Sequence, residues 1–359
     1  MTRPINVGIV GASPGQGWAS RAHIPAIDSI PDVALTAVAT TRAETARSAR
    51  DRFGARYAFT DAADLAGHPD VDLVVVTVKV PAHVELVTAA LDAGKHVYCE
   101  WPLTRTSAEA RALSTAADAA GVRTAVGLQA RFAPAAVRMR ELLGEGAIGN
   151  VLSATLYSAR TRGADVDVPA RSAYTFDAAN GAGLLDVLGG HALDLVQHVL
   201  GPITDLTART ALRSPDHRVA ETGEPIKVTA PDQLLAIAGL GSGAVMSIHL
   251  HDAESGPPRT RLEITGTDGS LALVSAPEKE PLAVQLQIGR LELFISRSGR
   301  AWEPVALDAD DASGLPAQAS NVARLYRHLI ADLRDGGHRV PDFREAHALH
   351  ELLERIPRS

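Results

Sequence analysis

Apolar residues first arrive in short, unbroken, β-branched blocks. Ile5–Val10, Val33–Ala39, Leu73–Val78, His96–Cys99 and Arg123–Gly127 are continuous in apolar character rather than alternating. Strands buried on both faces read this way, as in a parallel sheet with helices on either side. Between them, Ala43–Phe53, Ala82–Ala93 and Ser107–Ala120 carry apolar residues at three-to-four spacing, the period of a helix with one buried face. Ser107, with Glu109 two positions on, offers the last of these an approximate cap. This strand–helix alternation predicts an α/β domain with a doubly wound parallel sheet over residues 1–127.

Beyond that point the pattern changes. A helix over Pro134–Leu143 precedes Val151–Ala159, which alternates as an antiparallel strand does when one face meets solvent. A glycine-rich turn, Asn180–Gly183, leads into an apolar helix that ends at Leu200. Gly241-Ser-Gly243 and Gly266-Thr-Asp-Gly269 then mark hairpins, the first joining Leu234–Gly239 to Val245–Leu250 and the second Arg261–Thr265 to Leu271–Val274. A further strand pair is expected within Val284–Ile295, with surface loops at Ala253–Pro258 and Leu307–Leu315. Ala319–Asp335 and Arg344–Ile356 read as closing helices. Residues 128–359 are therefore expected to form an α+β domain with a large open antiparallel sheet, its helices in 319–356 packing back toward the first domain.

Composition narrows the class. The 359 residues carry 35 Lys and Arg against 42 Asp and Glu, a net charge of −7 with a single Cys. A duplex-binding surface needs a basic excess, so no direct nucleic-acid partner is expected. One cysteine excludes an internal disulfide or a Cys-based zinc site. No apolar run reaches the ~20 residues of a membrane helix, and no signal-like stretch precedes Ile5. A cytoplasmic protein without a membrane partner is the expectation.

The first strand opens into Gly8-Ile-Val-Gly11-Ala-Ser13-Pro-Gly15-Gln-Gly17-Trp18. A glycine at such a strand-to-helix turn lets the backbone approach a pyrophosphate, which the helix start then holds through its free N–H groups. The strict Gly-x-Gly-x-x-Gly is absent, because Ser13 stands at the second glycine and the later spacing is expanded. Gly11, Ser13, Gly15, Gly17 and Trp18 are the expected cofactor contacts of a Rossmann-type turn. After the second strand come Thr40, Thr41 and Arg42, with no carboxylate before Glu44. A carboxylate there would accept from the ribose 2′-hydroxyl of NAD, whereas hydroxyls followed by arginine suit a 2′-phosphate. Thr41 and Arg42 point to NADP, with NAD the alternative.

Further landmarks run along nearly the whole chain: Val71–Thr77, Pro81–His83, Ala93–Val97, Glu100-Trp-Pro102, Gln129–Phe132, Gly190–Asp194 and Pro341–Phe343. With these placed, the chain resembles the glucose–fructose oxidoreductase/inositol dehydrogenase (Gfo/Idh/MocA) family. Gly17–Ala19, His23–Ile27, Glu100-Trp101 and Tyr174–Gly181 resemble the branch containing the fungal galactose-pathway repressor, a regulator, alongside bacterial chains presumed to be oxidoreductases. The resemblance implies a Rossmann domain with an open-faced partner domain whose sheet commonly joins subunits. A homodimer or homotetramer through the C-terminal sheet is accordingly expected. It also implies a small-molecule substrate, and cofactor contacts from Thr77, Val78, His83, Glu100, Trp101 and Gln129.

That family carries Glu-Lys-Pro after the fifth strand, where this chain has Glu100-Trp101-Pro102. An indole supplies neither an ammonium charge nor a shuttled proton, and a placed acid or base contributes ~10²–10⁴-fold. The family often has Asp four residues before the motif histidine. Here Val187 stands there, and the neighbouring Asp186 would point about 100° away on a regular helix. His191 is left as the candidate proton-transfer residue, with Lys79 (at the ligand-binding end of the fourth strand) or Tyr174 assisting and Trp101 shaping the pocket. Asp194 shares a helical face with His191 and His198 and is expected to orient the His191 ring, without a metal. Arg131, Arg160 and Arg162 are expected to hold a carboxylate or sugar phosphate, with Asp177 and Asn180 as further substrate contacts. Cys99 reads as packing.

The expected function is an NADP(H)-dependent oxidoreductase acting on a sugar, cyclitol or related hydroxy/carbonyl compound. The alternatives are a non-catalytic dinucleotide- or metabolite-sensing regulator, or a lyase or epimerase with tightly held cofactor.

Overall fold

The computed structural model describes residues 3–15, 17–161, 163–276, 284–297, 299–308, 312 and 314–358. It divides into two compact units, residues 1–129 with 312–350, and residues 130–311 with 351–359.

In the first unit the apolar blocks become β1 (Ile5–Val10), β2 (Val33–Ala39), β3 (Tyr57–Phe59), β4 (Leu73–Val76), β5 (His96–Cys99) and β6 (Thr124–Val126). They form one parallel sheet in the order β3-β2-β1-β4-β5-β6. Helices α1 (Ile24–Asp28), α2 (Ala43–Phe53), α3 (Ala62–Gly67), α4 (His83–Asp92) and α5 (Ser107–Ala120) make the crossovers. Val7, Ile9, Val38, Val74 and Val75 are buried between the layers, which is why these strands show no alternation. The strand order reverses between β1 and β4, the switch point at which doubly wound sheets bind ligands.

The cap of α5 differs from the expectation. It is Thr106, not Ser107: the Thr106 hydroxyl accepts the Glu109 N–H at 3.2 Å, and the Glu109 carboxylate accepts the Arg105 N–H at 3.0 Å. Starting one residue earlier restores the three-residue spacing a capping pair needs.

The second unit opens with α6 (Pro134–Gly144) and β7 (Val151–Ala159), then β8 (Asp167–Val168), α7 (Ala170–Ala173), a π-helical turn at Leu184–Gly189 and α8 (Gly190–Leu200). The strands β9 (Ile203–Ala211), β10 (His217–Val219), β11 (Pro225–Ile226), β12 (Gln233–Leu240), β13 (Val245–His251), β14 (Arg259–Gly266), β15 (Gly269–Ser275), β16 (Leu291–Arg297) and β17 (Glu303–Pro304) follow. Seven of these and β7 form an eight-stranded sheet in the order β17-β16-β15-β14-β7-β13-β12-β9. It is mostly antiparallel, but β7 runs parallel to β13 while pairing antiparallel with β14. The expected strand pair within Val284–Ile295 reduces to β16, since Gln285–Gly289 is a turn closed by Gly289 N–H to the Gln285 carbonyl at 2.8 Å. Helix α6 and the π-helical turn cover one face. The other leaves Leu235, Ile237 and Val245 more than half exposed, at 55%, 64% and 62%.

The segment returning to the first unit carries α9 (Ala317–Asp335) and the start of α10 (Phe343–Glu354). Between them the Pro341 carbonyl accepts the Val126 N–H at 2.8 Å, and the Phe343 N–H bonds Thr124 Oγ1 at 3.2 Å. Among the described residues, no helix is long and apolar enough to cross a membrane.

Candidate functional site

At the switch point, Gly11 holds a φ of +96°, and a Cβ there would lie 2.8 Å from Val78 Cγ1 and 2.9 Å from Thr77 Oγ1. Conformation and space both refuse a side chain. Thr77 hydrogen-bonds the Val10 carbonyl at 2.9 Å, tying the end of β4 to the end of β1. The loop folds on itself through Ser13 N–H to the Gly11 carbonyl at 2.8 Å, and Arg52 of α2 donates to the Pro14 carbonyl at 2.6 Å. Beside Gly17 there is open space within 4 Å, and the nearest atom to a Cβ on Gly15 would be Ser13 Oγ at 3.9 Å. Trp18 Nε1 and Gln129 Oε1 are buried without a hydrogen-bond partner. A closed glycine turn, an open loop and an orphaned donor and acceptor fit a bound dinucleotide, because buried polar atoms ordinarily have partners.

Thr41 and Arg42 lie exposed at the start of α2. The Arg42 carbonyl accepts the Thr45 hydroxyl at 2.9 Å, and among the described residues no carboxylate pairs with the Arg42 guanidinium. The other expected cofactor contacts are placed differently. His83 is buried as a brace, with Nδ1 3.0 Å from the Pro102 carbonyl and Nε2 3.0 Å from that of Val78. It joins the turns after β4 and β5, and its burial presses its pKa down against the pull of those carbonyls. The Trp101 indole is 6% exposed and stacks on His350, ring centres 4.6 Å apart at 32°. Glu100 bonds His23 Nε2 at 2.9 Å. Cys99 is buried 3.3 Å from His83 Nδ1, its thiol pushed well up by burial, then by Glu100. That is a packing environment. Lys79 is exposed in the turn after β4.

In the second unit His191 is 4% exposed and its Nδ1 has no hydrogen-bond partner. Burial first, then the Arg160 charge, lowers its pKa to about 3, so the ring is neutral at physiological pH. The orienting bond expected from Asp194 is not made. Its carboxylate is held by Arg131, through Nε at 2.9 Å and Nη2 at 2.5 Å. Arg160, likewise expected to face a ligand, is buried against Asp252 with Nε and Nη2 at 2.5 and 2.7 Å. Asp252 escaped the sequence reading, since nothing in the pattern revealed that β7 and β13 run side by side and end together. Arg162 lies outside the described residues, as do 309–311 and 313 of the Leu307–Leu315 loop.

The expected offset of Asp186 presumed a regular helix. Leu184–Gly189 is π-helical instead, so a step of 100° per residue does not apply there. The Asp186 carboxylate accepts the Gly183 N–H at 3.1 Å and Arg358 Nη2 at 2.6 Å. Asp177 caps the turn at Ala178–Asn180, taking the Ala179 N–H at 3.1 Å and the Thr229 hydroxyl at 3.0 Å, bonds that lower its pKa. Asn180 Nδ2 bonds the Tyr174 carbonyl at 2.7 Å, and the Tyr174 side chain is half-buried. These two polar side chains fix the loop that carries the tyrosine.

Comparison with known proteins bears on both units. Residues 5–128 match the model of an oxidoreductase family with an NAD-binding Rossmann fold, and residues 136–272 match the GFO/IDH/MocA C-terminal domain. Dehydrogenase aclE of Aspergillus oryzae is 32% identical over 337 residues, 89% of this chain and 89% of that one. The chain belongs to the GFO/IDH/MocA family of oxidoreductases. The D-apiose dehydrogenase of Paraburkholderia graminis is 30% identical over 91% of this chain and 81% of its own length. A crystal structure of a super-repressor mutant of Gal80p from Saccharomyces cerevisiae shares the fold, with a TM-score of 0.85 at 24% identity, covering 98% of this chain and 95% of that one. GFO/IDH/MocA relatives thus include sugar dehydrogenases, and the same fold serves a regulator.

Proposed function

We propose that this GFO/IDH/MocA protein is an NADP(H)-dependent oxidoreductase of a sugar, cyclitol or related hydroxy/carbonyl compound. The observation that carries the reading is the buried His191 ring with its unpartnered Nδ1, a ring that burial favours in the neutral form. A nicotinamide, when bound, exchanges a hydride with the carbinol carbon. Gly11 admits the pyrophosphate to the backbone, and Thr41 with Arg42 favours a 2′-phosphate, so NADP is preferred to NAD. His191 takes the hydroxyl proton as the carbinol loses its hydride, and returns it in the reverse direction. The negative charge growing on the oxygen raises the proton affinity of the ring, opposing the burial that lowers it. Tyr174 or Lys79 assists, and self-association through the open sheet face and a cytoplasmic location belong to the same proposal.

A specific observation favours a second reading. Trp101, which the resemblance puts where the family carries lysine, is buried against His350, which suits the alternative of a non-catalytic, dinucleotide-sensing regulator. A crystal structure with NADP separates the two. The oxidoreductase reading requires His191 among the groups within ~3–4 Å of the substrate void beside nicotinamide C4; a void without any acid or base contradicts it.

A further inference from the structure

A buried chain of hydrogen bonds crosses the first unit. Glu100 Oε1 lies 2.9 Å from His23 Nε2, and His23 Nδ1 lies 2.8 Å from the Tyr326 hydroxyl. His23 and Tyr326 are fully buried. Tyr98 packs against both rings, 5.1 Å from His23 and 5.2 Å from Tyr326. One tautomer satisfies both ring nitrogens of His23: the Tyr326 O–H donates to Nδ1, and the proton on Nε2 is donated to the carboxylate. Burial and the Glu100 charge keep the Tyr326 phenol protonated and able to donate.

The three residues come from places that matter for the cofactor. His23 closes the π-helical turn Ala19–His23 that follows the glycine-rich loop. Glu100 precedes Trp101 at the end of β5, and Tyr326 lies on α9. The Glu100 carboxylate rests on Gly127, where a Cβ would meet both of its oxygens at 2.8 Å. The segment 312–350 therefore holds two consecutive residues, Glu100 through Tyr326 and His23, and Trp101 through His350. Cohesion alone does not call for such a chain, because apolar residues of similar size stabilise a core at least as well. A directional chain of hydrogen bonds from Glu100 through His23 to Tyr326 instead fixes one geometry.

We propose that His23 and Tyr326 are positioning residues for dinucleotide binding, fixing through the Glu100 carboxylate both the helix start after the glycine-rich loop and the backbone presenting Trp101. This rests on the cofactor reading above. Neither residue touches the ligand; they set where the loop stands.

The test is a fluorescence titration of the full chain with NADPH and with NADH, at a temperature where every variant is folded. Tyr326→Phe removes one hydroxyl and keeps the ring, and Gly127→Ala crowds the carboxylate from the other side. Each is expected to weaken binding about fivefold, the scale of one lost hydrogen bond. The double variant should bind no more than about twofold more weakly than the poorer single one, since both act through one carboxylate. Leu113→Ala, in the buried face of α5, should lower the melting temperature and leave binding unchanged. Two results overturn the inference alone: wild-type binding with Tyr326→Phe equally tight despite a lowered melting temperature, or fully multiplicative losses in the double variant. Wild-type protein that binds neither dinucleotide overturns the cofactor reading, and this inference with it.

Discussion

Arg131 grips Asp194 through two nitrogens, at 2.9 and 2.5 Å, and the carboxylate is almost entirely buried. An arginine expected to hold a ligand and an aspartate expected to orient His191 are given to each other. Removing one partner of a buried pair strands the other charge, at about 3–5 kcal/mol, whereas replacing both with apolar residues is often neutral. Asp194→Leu is expected to lower unfolding free energy by about 3 kcal/mol in urea denaturation, and adding Arg131→Met should recover most of it. Equal stability of the single variant and wild type would show that the pair is not formed.

Gly11 makes a sharper demand. A side chain there costs about 1–2 kcal/mol in backbone conformation alone, before meeting Val78 and Thr77. Gly11→Ala should abolish measurable dinucleotide binding. Gly67→Ala is the control, because nothing lies within 4 Å of a Cβ at that position, and it should bind as wild type does.

Acid should destabilise the protein through its buried histidines. His191 has its pKa lowered to about 3, and His198 to about 4 by burial, then Arg131 and Arg140. Unfolded histidines titrate near 6.5, so between these values the unfolded chain binds protons that the folded one refuses, and stability falls as pH falls. From pH 7 to pH 5 each site should cost about 2 kcal/mol. His191→Gln should remove roughly one such share from the loss measured by denaturation at the two pH values.

Much of the fold was legible because burial on both faces leaves a simple trace: unbroken apolar blocks at β1, β2 and β4. The three-residue β3 was too short to show one. The π-helical turn at Leu184–Gly189 keeps a helix-like apolar pattern, so the sequence carried no sign that the Asp186 offset would change. Long-range pairing was the harder limit. Arg131 and Asp194 stand 63 positions apart, and Arg160 and Asp252 stand 92 apart, so the two arginines read as ligand contacts while the carboxylates that hold them lay beyond the reach of local pattern. Tyr326 falls within the expected helix Ala319–Asp335 but carried no signal of its own, because periodicity reports which face is buried and not what a hydroxyl meets there.

Cofactor choice should reside in Arg42. The wild type is expected to bind NADP more tightly than NAD. Arg42→Glu should weaken NADP at least about tenfold, since it turns a charge-assisted bond to the 2′-phosphate into repulsion. Tighter wild-type binding of NAD would contradict the reading of Thr41 and Arg42.

The most direct measurement of catalysis is reduction of NADP across a panel of sugars and cyclitols, followed by the near-ultraviolet absorbance of the reduced nicotinamide. The account predicts turnover of at least one substrate by the wild type and a loss of about 10²-fold or more in His191→Ala, with dinucleotide affinity retained. Tight dinucleotide binding without turnover of any panel member, or turnover untouched by His191→Ala, would contradict it.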